Sequence, residues 1–215
     1  MLSSKTTLAI IGSGALTFAC GSLHSHEHDV EIRVDTETQY EGNAFPDLSE
    51  AEMMEMMMKL AAPSEGHQLL EGLVGTWAAE TSMLMSPTGE PEVSAGTLVN
   101  ELVLGGRFIQ SSYSGTANGM PFEGIGFTGF NNSTGGYEGF WIDNFGTLLS
   151  PISHGSYDPE TRALTMERTL NDPNFGIVTM RDVTTIESEN VHTLEMFSPG
   201  PEGEYRNLKI VYTRQ

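Results

Sequence analysis

The sequence predicts an all-β protein, about ten antiparallel strands closed into an up-and-down barrel and preceded by one or two short helices. Three observations carry that expectation. Hydrophobic periodicity changes from about 3.6 to 2 near Gly75 and stays at 2 to the C-terminus. Turn-forming clusters interrupt that region at intervals too short to admit a helix between strands. Glycine makes up 24 of 215 residues while only 18% of the chain is charged, which excludes a highly charged disordered polymer and favours turn-rich β structure. Sequential strands in this number remove their edges most simply by closing on themselves; a two-sheet sandwich is the alternative. The segments share no repeat of fixed period, which argues against a propeller.

From the N-terminus, residues 1–19 carry one charge, Lys5, before the apolar run Leu8 to Leu16. That run is too short to span a membrane and suits a secretory signal. Ala19 directly precedes the only cysteine, Cys20, so the junction resembles a bacterial lipobox in which Cys20 receives a lipid anchor. Thr17 departs from the usual aliphatic residue, and Thr17-x-Ala19 also suits ordinary signal peptidase, so a soluble exported protein is the competing expectation. Both place the chain outside the cytoplasm, in the cell envelope when anchored. One cysteine leaves no disulfide within the chain and no cysteine-based zinc site.

Residues 20–46 are acidic and lack apolar periodicity, the pattern of a disordered tether with a reach of about 30 Å. Its alternating His24, His26 and His28 read as solvated imidazoles rather than a metal site, because a flexible segment offers no second shell to orient ligands. Residues 47–74 form the helical region. Ser49 and Glu52 make a capping box and Pro63 ends the first helix. Met53, Met54, Met56, Met57, Met58, Leu60 and Ala61 fill one arc of it, and Glu52, Glu55 and Lys59 the other. Such a face is expected to dock on something, as core or docking contact, and thioethers at helical spacing need no copper(I) to explain them. A second helix is expected over Ser64 to Leu73.

Residues 75–215 are the barrel. Its strands are expected over Thr76–Met85, Ser94–Leu104, Arg107–Thr116, Pro121–Phe130, Gly136–Asn144, Thr147–Tyr157, Ala163–Leu170, Gly176–Ile186, Val191–Ser198 and Tyr205–Arg214. The connections are turn chemistry such as Gly105-Gly106, Asp158-Pro159-Glu160-Thr161 and Pro199-Gly200-Pro201-Glu202-Gly203. Gly75-Thr76-Trp77 opens the first strand and Arg214 ends the last, so barrel closure brings the guanidinium over the indole. That pairing resembles the calycins, the lipocalin and fatty-acid-binding superfamily, and implies a ligand-holding barrel.

Over about Leu48 to Arg214 the sequence also resembles the bacterial domain-of-unknown-function family 1579. The likeness lies in the Met-rich helix leading to Pro63 and His67, in Leu73-Val74-Gly75-Thr76-Trp77, in Leu104-Gly105-Gly106-Arg107-Phe108, in Trp141-Ile142-Asp143-Asn144, in Gly155-Ser156-Tyr157-Asp158, in Met180-Arg181-Asp182-Val183 and in Ile210-Val211-Tyr212-Thr213-Arg214. The resemblance implies a lipocalin-like fold and brings no activity with it. Nitrobindin-like barrels, a neighbouring group, bind haem through a histidine near the end of the barrel; the last strand here, Tyr205–Arg214, has none, and no cofactor is expected.

Period 2 puts Trp141 and Asp143 on one face of their strand and Phe140 and Ile142 on the other, and the sequence does not decide which pair faces inward. Arg181 and Glu195 lie on neighbouring strands and are expected to form a cross-strand ion pair, either inside the barrel with Arg107 as a further donor or on its outer surface. The pocket expectation joins Arg107, Trp141, Asp143, Arg181 and Glu195 around the head group of an amphiphile. His67 and His154 stand alone, without partners at metal-ligand spacing. Ten Lys and Arg against 29 Asp and Glu, a net charge of -19, exclude a nucleic-acid partner. There is no Gly-x-Ser-x-Gly, His-Glu-x-x-His or phosphate loop. An exported barrel binding a small apolar or amphiphilic molecule is the first expectation. A structural or protein-interaction module of the envelope is the second, and an enzyme using Asp143, Arg181 and Glu195 as acid, anion clamp and base the third.

Overall fold

The computed structural model describes residues 48–172 and 176–215. The expected signal segment, Cys20, the acidic tether and its three histidines lie outside the described residues. The elements are helix α1 (Glu50–Ala61), a 3-10 turn (Glu65–His67), helix α2 (Gln68–Leu73) and ten strands: β1 (Gly75–Met83), β2 (Glu92–Val103), β3 (Phe108–Ala117), β4 (Met120–Asn131), β5 (Gly136–Asp143), β6 (Ser153–Asp158), β7 (Ala163–Asp172), β8 (Gly176–Ser188), β9 (Val191–Gly200) and β10 (Gly203–Arg214). Each strand pairs antiparallel with its chain neighbours, and β1 closes on β10 with Trp77 opposite Arg214.

Strand β6 is much shorter than its sequence suggests. The expected strand from Thr147 begins only at Ser153, and β5 and β6 share just three residue pairs, Tyr137–Gly155 to Gly139–Ser153. Ser150 accounts for this: its N–H donates to Trp141 O at 3.2 Å and its hydroxyl accepts from Trp141 N at 2.8 Å. The loop is thereby pinned to β5 at one residue, and its alternating apolar side chains find no partner strand. Elsewhere local chemistry and register agree. Asn118-Gly119, with φ of 51° and 70°, joins β3 to β4 between the paired Ala117 and Met120, the geometry of a two-residue hairpin turn.

At the front of the chain the capping box forms as expected. Ser49 N donates to Glu52 Oε2 at 2.8 Å, and Glu52 N to Ser49 Oγ at 3.3 Å. Ala62 turns extended before Pro63, which disfavours a helical residue ahead of it. Among the described residues nothing covers the methionine face: no residue of α1 is buried, and Met57 and Met58 are 62% and 67% exposed. The helix is held instead by its C-terminal carbonyls. Arg107 Nε donates to Ala61 O at 2.7 Å, and Asn132 Nδ2 donates to Leu60 O and Ala62 O at 2.7 and 2.8 Å.

Helix α2 does pack. Leu70 is fully buried and clusters with Ile109, Tyr137 and Leu164, so α2 stoppers one end of the barrel. Odd-numbered strands run away from this stoppered end and even-numbered strands return to it. The connections β1–β2, β3–β4, β5–β6, β7–β8 and β9–β10 therefore all gather at the opposite end.

Candidate functional site: the barrel cavity

Inside the barrel lies a cavity of about 770 Å³. Leu70 and Leu73 of α2 form its floor and the far-end loops its mouth. Two buried donors satisfy one helix-terminal carbonyl at the floor: Trp77 Nε1 and Asn100 Nδ2 each donate to Leu73 O at 3.0 Å. The bonds fix the floor to β1 and β2. Asn100 Oδ1 and His192 Nδ1 are buried there without a protein partner. The His192 ring meets the Trp77 edge at 4.3 Å and stacks on Tyr212 at 4.6 Å. Burial, and next the nearby Arg214 charge, push the imidazole down to about 4, so the ring is neutral at ordinary pH. Burial likewise pushes the Tyr212 phenol up, Tyr113 adding to it, and the floor is an uncharged polar surface.

Arg214 locks this end from outside the cavity. Its guanidinium carbon sits 4.1 Å over the Trp77 ring, as the Gly75-Thr76-Trp77 and Arg214 spacing suggests. Nη1 donates to Val74 O at 2.6 Å, Nη2 to Gly72 O at 3.1 Å and Nε to Glu189 O at 3.0 Å. Gly75 is a necessity here: its φ is +133°, and a Cβ would stand 2.5 Å from Arg214 Nη1.

Strand β5 settles the face that period 2 leaves open. Trp141 and Asp143 line the cavity, while Ile142 points out and Phe140 stacks on Phe127 at 5.5 Å. The Trp141 indole lies flat on β4, where a Cβ at Gly124 would stand 2.1 Å from its ring and one at Gly126 2.8 Å. Bare backbone lets the largest side chain hug the wall, and the space stays open. Trp141 Nε1 donates to Asp143 Oδ2 at 3.1 Å, and Phe145 N donates to Asp143 Oδ1 at 3.0 Å. Both carboxylate oxygens are thus engaged in holding the indole and the start of the β5–β6 loop.

The other expected pocket residues are placed elsewhere. Along β8 it is Met180, Asp182 and Thr184 that face the cavity, and along β9 Leu194 and Met196, so Arg181 and Glu195 fall on the outer surface. They do not pair with each other. Arg181 bridges Glu204 through Nε and Nη2 at 3.1 and 2.5 Å and lies 4.0 Å over the Phe197 ring, while Glu195 pairs with Arg206 at 2.5 Å. The physical reason is solvation: outside, each charge keeps water as well as a partner. Arg107 caps α1 outside the barrel, beside a shallow hollow of about 330 Å³. The expected acid, clamp and base therefore do not converge. His67 is buried and accepts from Ser64 N through Nδ1 at 2.9 Å, and His154 is exposed with Glu138 at 3.8 Å. No cluster of three or more metal-ligating side chains occurs among the described residues.

The inward ion pair is one that sequence reasoning missed. Arg168 on β7 bonds Asp182 on β8 through Nη1 and Oδ2, with side chains only 12% and 21% exposed, and Arg168 Nη2 also meets Met180 Sδ at 3.8 Å. Burial raises the Asp182 carboxyl above its ordinary value although Arg168 pulls the other way, and Asp182 Oδ1 has no protein partner. Its signal was Asp182 alternating with Met180 and Thr184. Around the pair the mouth is lined by Met83, Met85, Met196, Leu208, Phe122 and Phe145, a wall whose thioethers adapt to shape.

Residues 62–214 match the family model described as "Protein of unknown function (DUF1579)". The chain belongs to this family. No curated protein matches this DUF1579 chain by sequence. Solved structures share its fold, among them the following two. The S-type phycobiliprotein lyase CPES from Guillardia theta superposes with a TM-score of 0.53 at 8% identity, over 71% of this chain and 93% of that one. Rv2717c from M. tuberculosis gives 0.52 at 16% identity, over 72% and 99%. At such identities the likeness is one of fold, a closed barrel of ten strands for the DUF1579 chain.

Proposed function

We propose that this barrel is an exported binding protein for a small, largely apolar molecule whose polar part is uncharged or cationic. The observation that carries the reading is the cavity itself, about 770 Å³ of mostly apolar space stoppered at one end and open at the other. A purely structural barrel would fill that space with side chains; here glycines 124 and 126 keep it clear. The preference against anions follows from charge placement. Arg168 is the one cation lining the cavity among the described residues and is already neutralised by Asp182, while Asp143 and Glu92 add negative charge near the mouth. A carboxylate-headed ligand would enter against that field with no free cation to meet it. One of the fold relatives named above is a phycobiliprotein lyase, so a barrel of this fold serves a protein that handles a pigment-bearing partner. Export, with anchoring through Cys20, is supported by the apolar leader and the Ala19-Cys20 junction.

The test uses 1-dodecanol and dodecanoate as matched probes. Both tryptophans touch the barrel interior, and Trp141 lies on the cavity wall. Dodecanol is expected to change tryptophan emission saturably and dodecanoate to bind at least about tenfold more weakly at pH 8. Ser111→Phe, which puts a ring into the cavity, should abolish the response. No saturable response to dodecanol, together with no small molecule retained in native mass spectra of protein purified without detergent, would refute the reading.

A further inference from the structure

The mouth of the cavity is bordered by apolar side chains that stand exposed among the described residues. Leu148 and Leu149 in the β5–β6 loop are 66% and 67% exposed, Met85 in the β1–β2 loop 73%, Val93 at the start of β2 76% and Ile177 at the start of β8 81%. Met120, Phe145 and Ile152, also at this end, are about half exposed. Four of the five connections at the open end thus contribute, and the stretch 144–152 contains no charged residue. Scattered exposed apolar side chains are ordinary, but this set is ordered by topology around one opening.

We infer that this rim docks the barrel on an uncharged or zwitterionic lipid surface, so that an apolar guest passes between bilayer and cavity without crossing water. The inference rests on the cavity reading above and adds the guest's source. Continuity with the cavity carries it: Phe145, Leu148 and Met85 line the interior while exposing part of themselves at the mouth. Composition favours lipid over a protein partner. The eight exposed side chains named above are aliphatic or thioether with a single Phe and include no Trp, Tyr or Arg of the kind that anchors protein interfaces, whereas Leu, Ile, Met and Phe insert readily among acyl chains. Charge then selects the surface, because a net charge of -19 opposes approach to anionic lipid.

The experiment is flotation with phosphatidylcholine vesicles, using protein expressed with its own leader and carrying Cys20→Ser so that no acyl chain anchors it. The expected result is flotation with phosphatidylcholine, weakened by added phosphatidylglycerol and most strongly at low salt. Leu149→Asp with Ile152→Asp should reduce flotation about tenfold or more while leaving the thermal midpoint and dodecanol binding intact, since these exposed loop side chains do not line the cavity. Met57→Asp with Met58→Asp in α1 should float like the parent. Flotation that is absent, unchanged by the loop pair or abolished by the helix pair overturns the inference. So does rim-dependent self-association in lipid-free sedimentation, which would assign the patch to a second copy. If vesicles bind but dodecanol does not, the cavity reading fails and the rim stands.

Discussion

Removing the Arg214 guanidinium breaks four contacts at once: the ring contact with Trp77 at 4.1 Å and hydrogen bonds to the carbonyls of Val74, Gly72 and Glu189. The cation-π contact contributes about 0.5 to 2 kcal/mol. Of the hydrogen bonds, only that to Val74 O is partly buried, and the others can be replaced by water. With about 1.5 to 3 kcal/mol for the charged hydrogen bond to Val74 O, Arg214→Ala is expected to cost about 2 to 5 kcal/mol, lowering the urea midpoint by about 1 to 2.5 M. A second effect is specific to this site. His192 titrates at about 4 in the folded chain against an ordinary 6.5, so between those values the unfolded chain takes up a proton that the folded chain refuses. Stability falls as pH drops through 6.5 toward 4, by about 3 kcal/mol in full. Arg214 is the second cause of that low value, after burial. Its removal raises the folded-state value, so the parent loses more stability than Arg214→Ala between pH 8 and pH 5 and the gap between them narrows. Arg214→Lys returns a charge without the planar fork, and should restore more of the pH dependence than of the stability. Urea denaturation at pH 8, 6.5 and 5 reads both effects, and stopping at pH 5 limits the opposing contribution of Asp182, whose raised carboxyl favours the folded state as acid increases. An Arg214→Ala midpoint equal to the parent's, or a gap that does not change with pH, would refute the reasoning.

The Arg168–Asp182 pair gives a second prediction, since each partner is largely buried. Arg168→Met leaves a carboxylate alone against an apolar wall and should destabilise by about 3 to 5 kcal/mol at pH 8, less in acid where Asp182 protonates, whereas the double variant with Asp182→Leu should regain most of the loss; equal midpoints for single and double variants would show that the pair is not desolvated. For the exported reading, palmitate should label the parent and not Cys20→Ser. Unchanged labelling in the variant would remove the anchor.

How far the sequence reached depended on whether a feature was local. Strand positions, the capping box and the hairpin turns are written in period and turn residues, which act over a few positions, and all ten strands follow. The Trp77–Arg214 contact spans most of the chain yet was readable, because closure of a barrel brings its ends together whatever lies between. The polar pocket was not readable in the same way. Arg181 and Asp182 are adjacent, and a one-residue change of phase exchanges the solvated charge for the buried one. The phase of β8 is set by cross-strand partners, Met166 opposite Asp182 and Phe197 opposite Arg181, and these are long-range facts. Helix α1 is a different case: amphipathicity says that a face exists to be covered, and says nothing about whether the cover lies in the same chain.

The two ends of the barrel divide the work of the molecule. At the stoppered end, Trp77, Asn100, His192 and Arg214 converge on α2 and the chain termini of the sheet, with a neutral imidazole and a fixed guanidinium that leave little freedom. At the open end β6 is short, the β5–β6 loop hangs from Ser150 and Asp143, and methionines replace rigid side chains on the wall. Rigidity at the floor preserves the cavity without a ligand, and adaptability at the mouth is what entry of a bulky guest requires. Mutations at the two ends should then separate. Changes at the floor act on stability first and on binding only through it, whereas changes in the loop 144–152 act on uptake at constant stability. A ligand held by a uniformly stiff barrel would show no such separation, so the contrast between Arg214→Ala and the Leu149→Asp, Ile152→Asp pair tests the division as a whole.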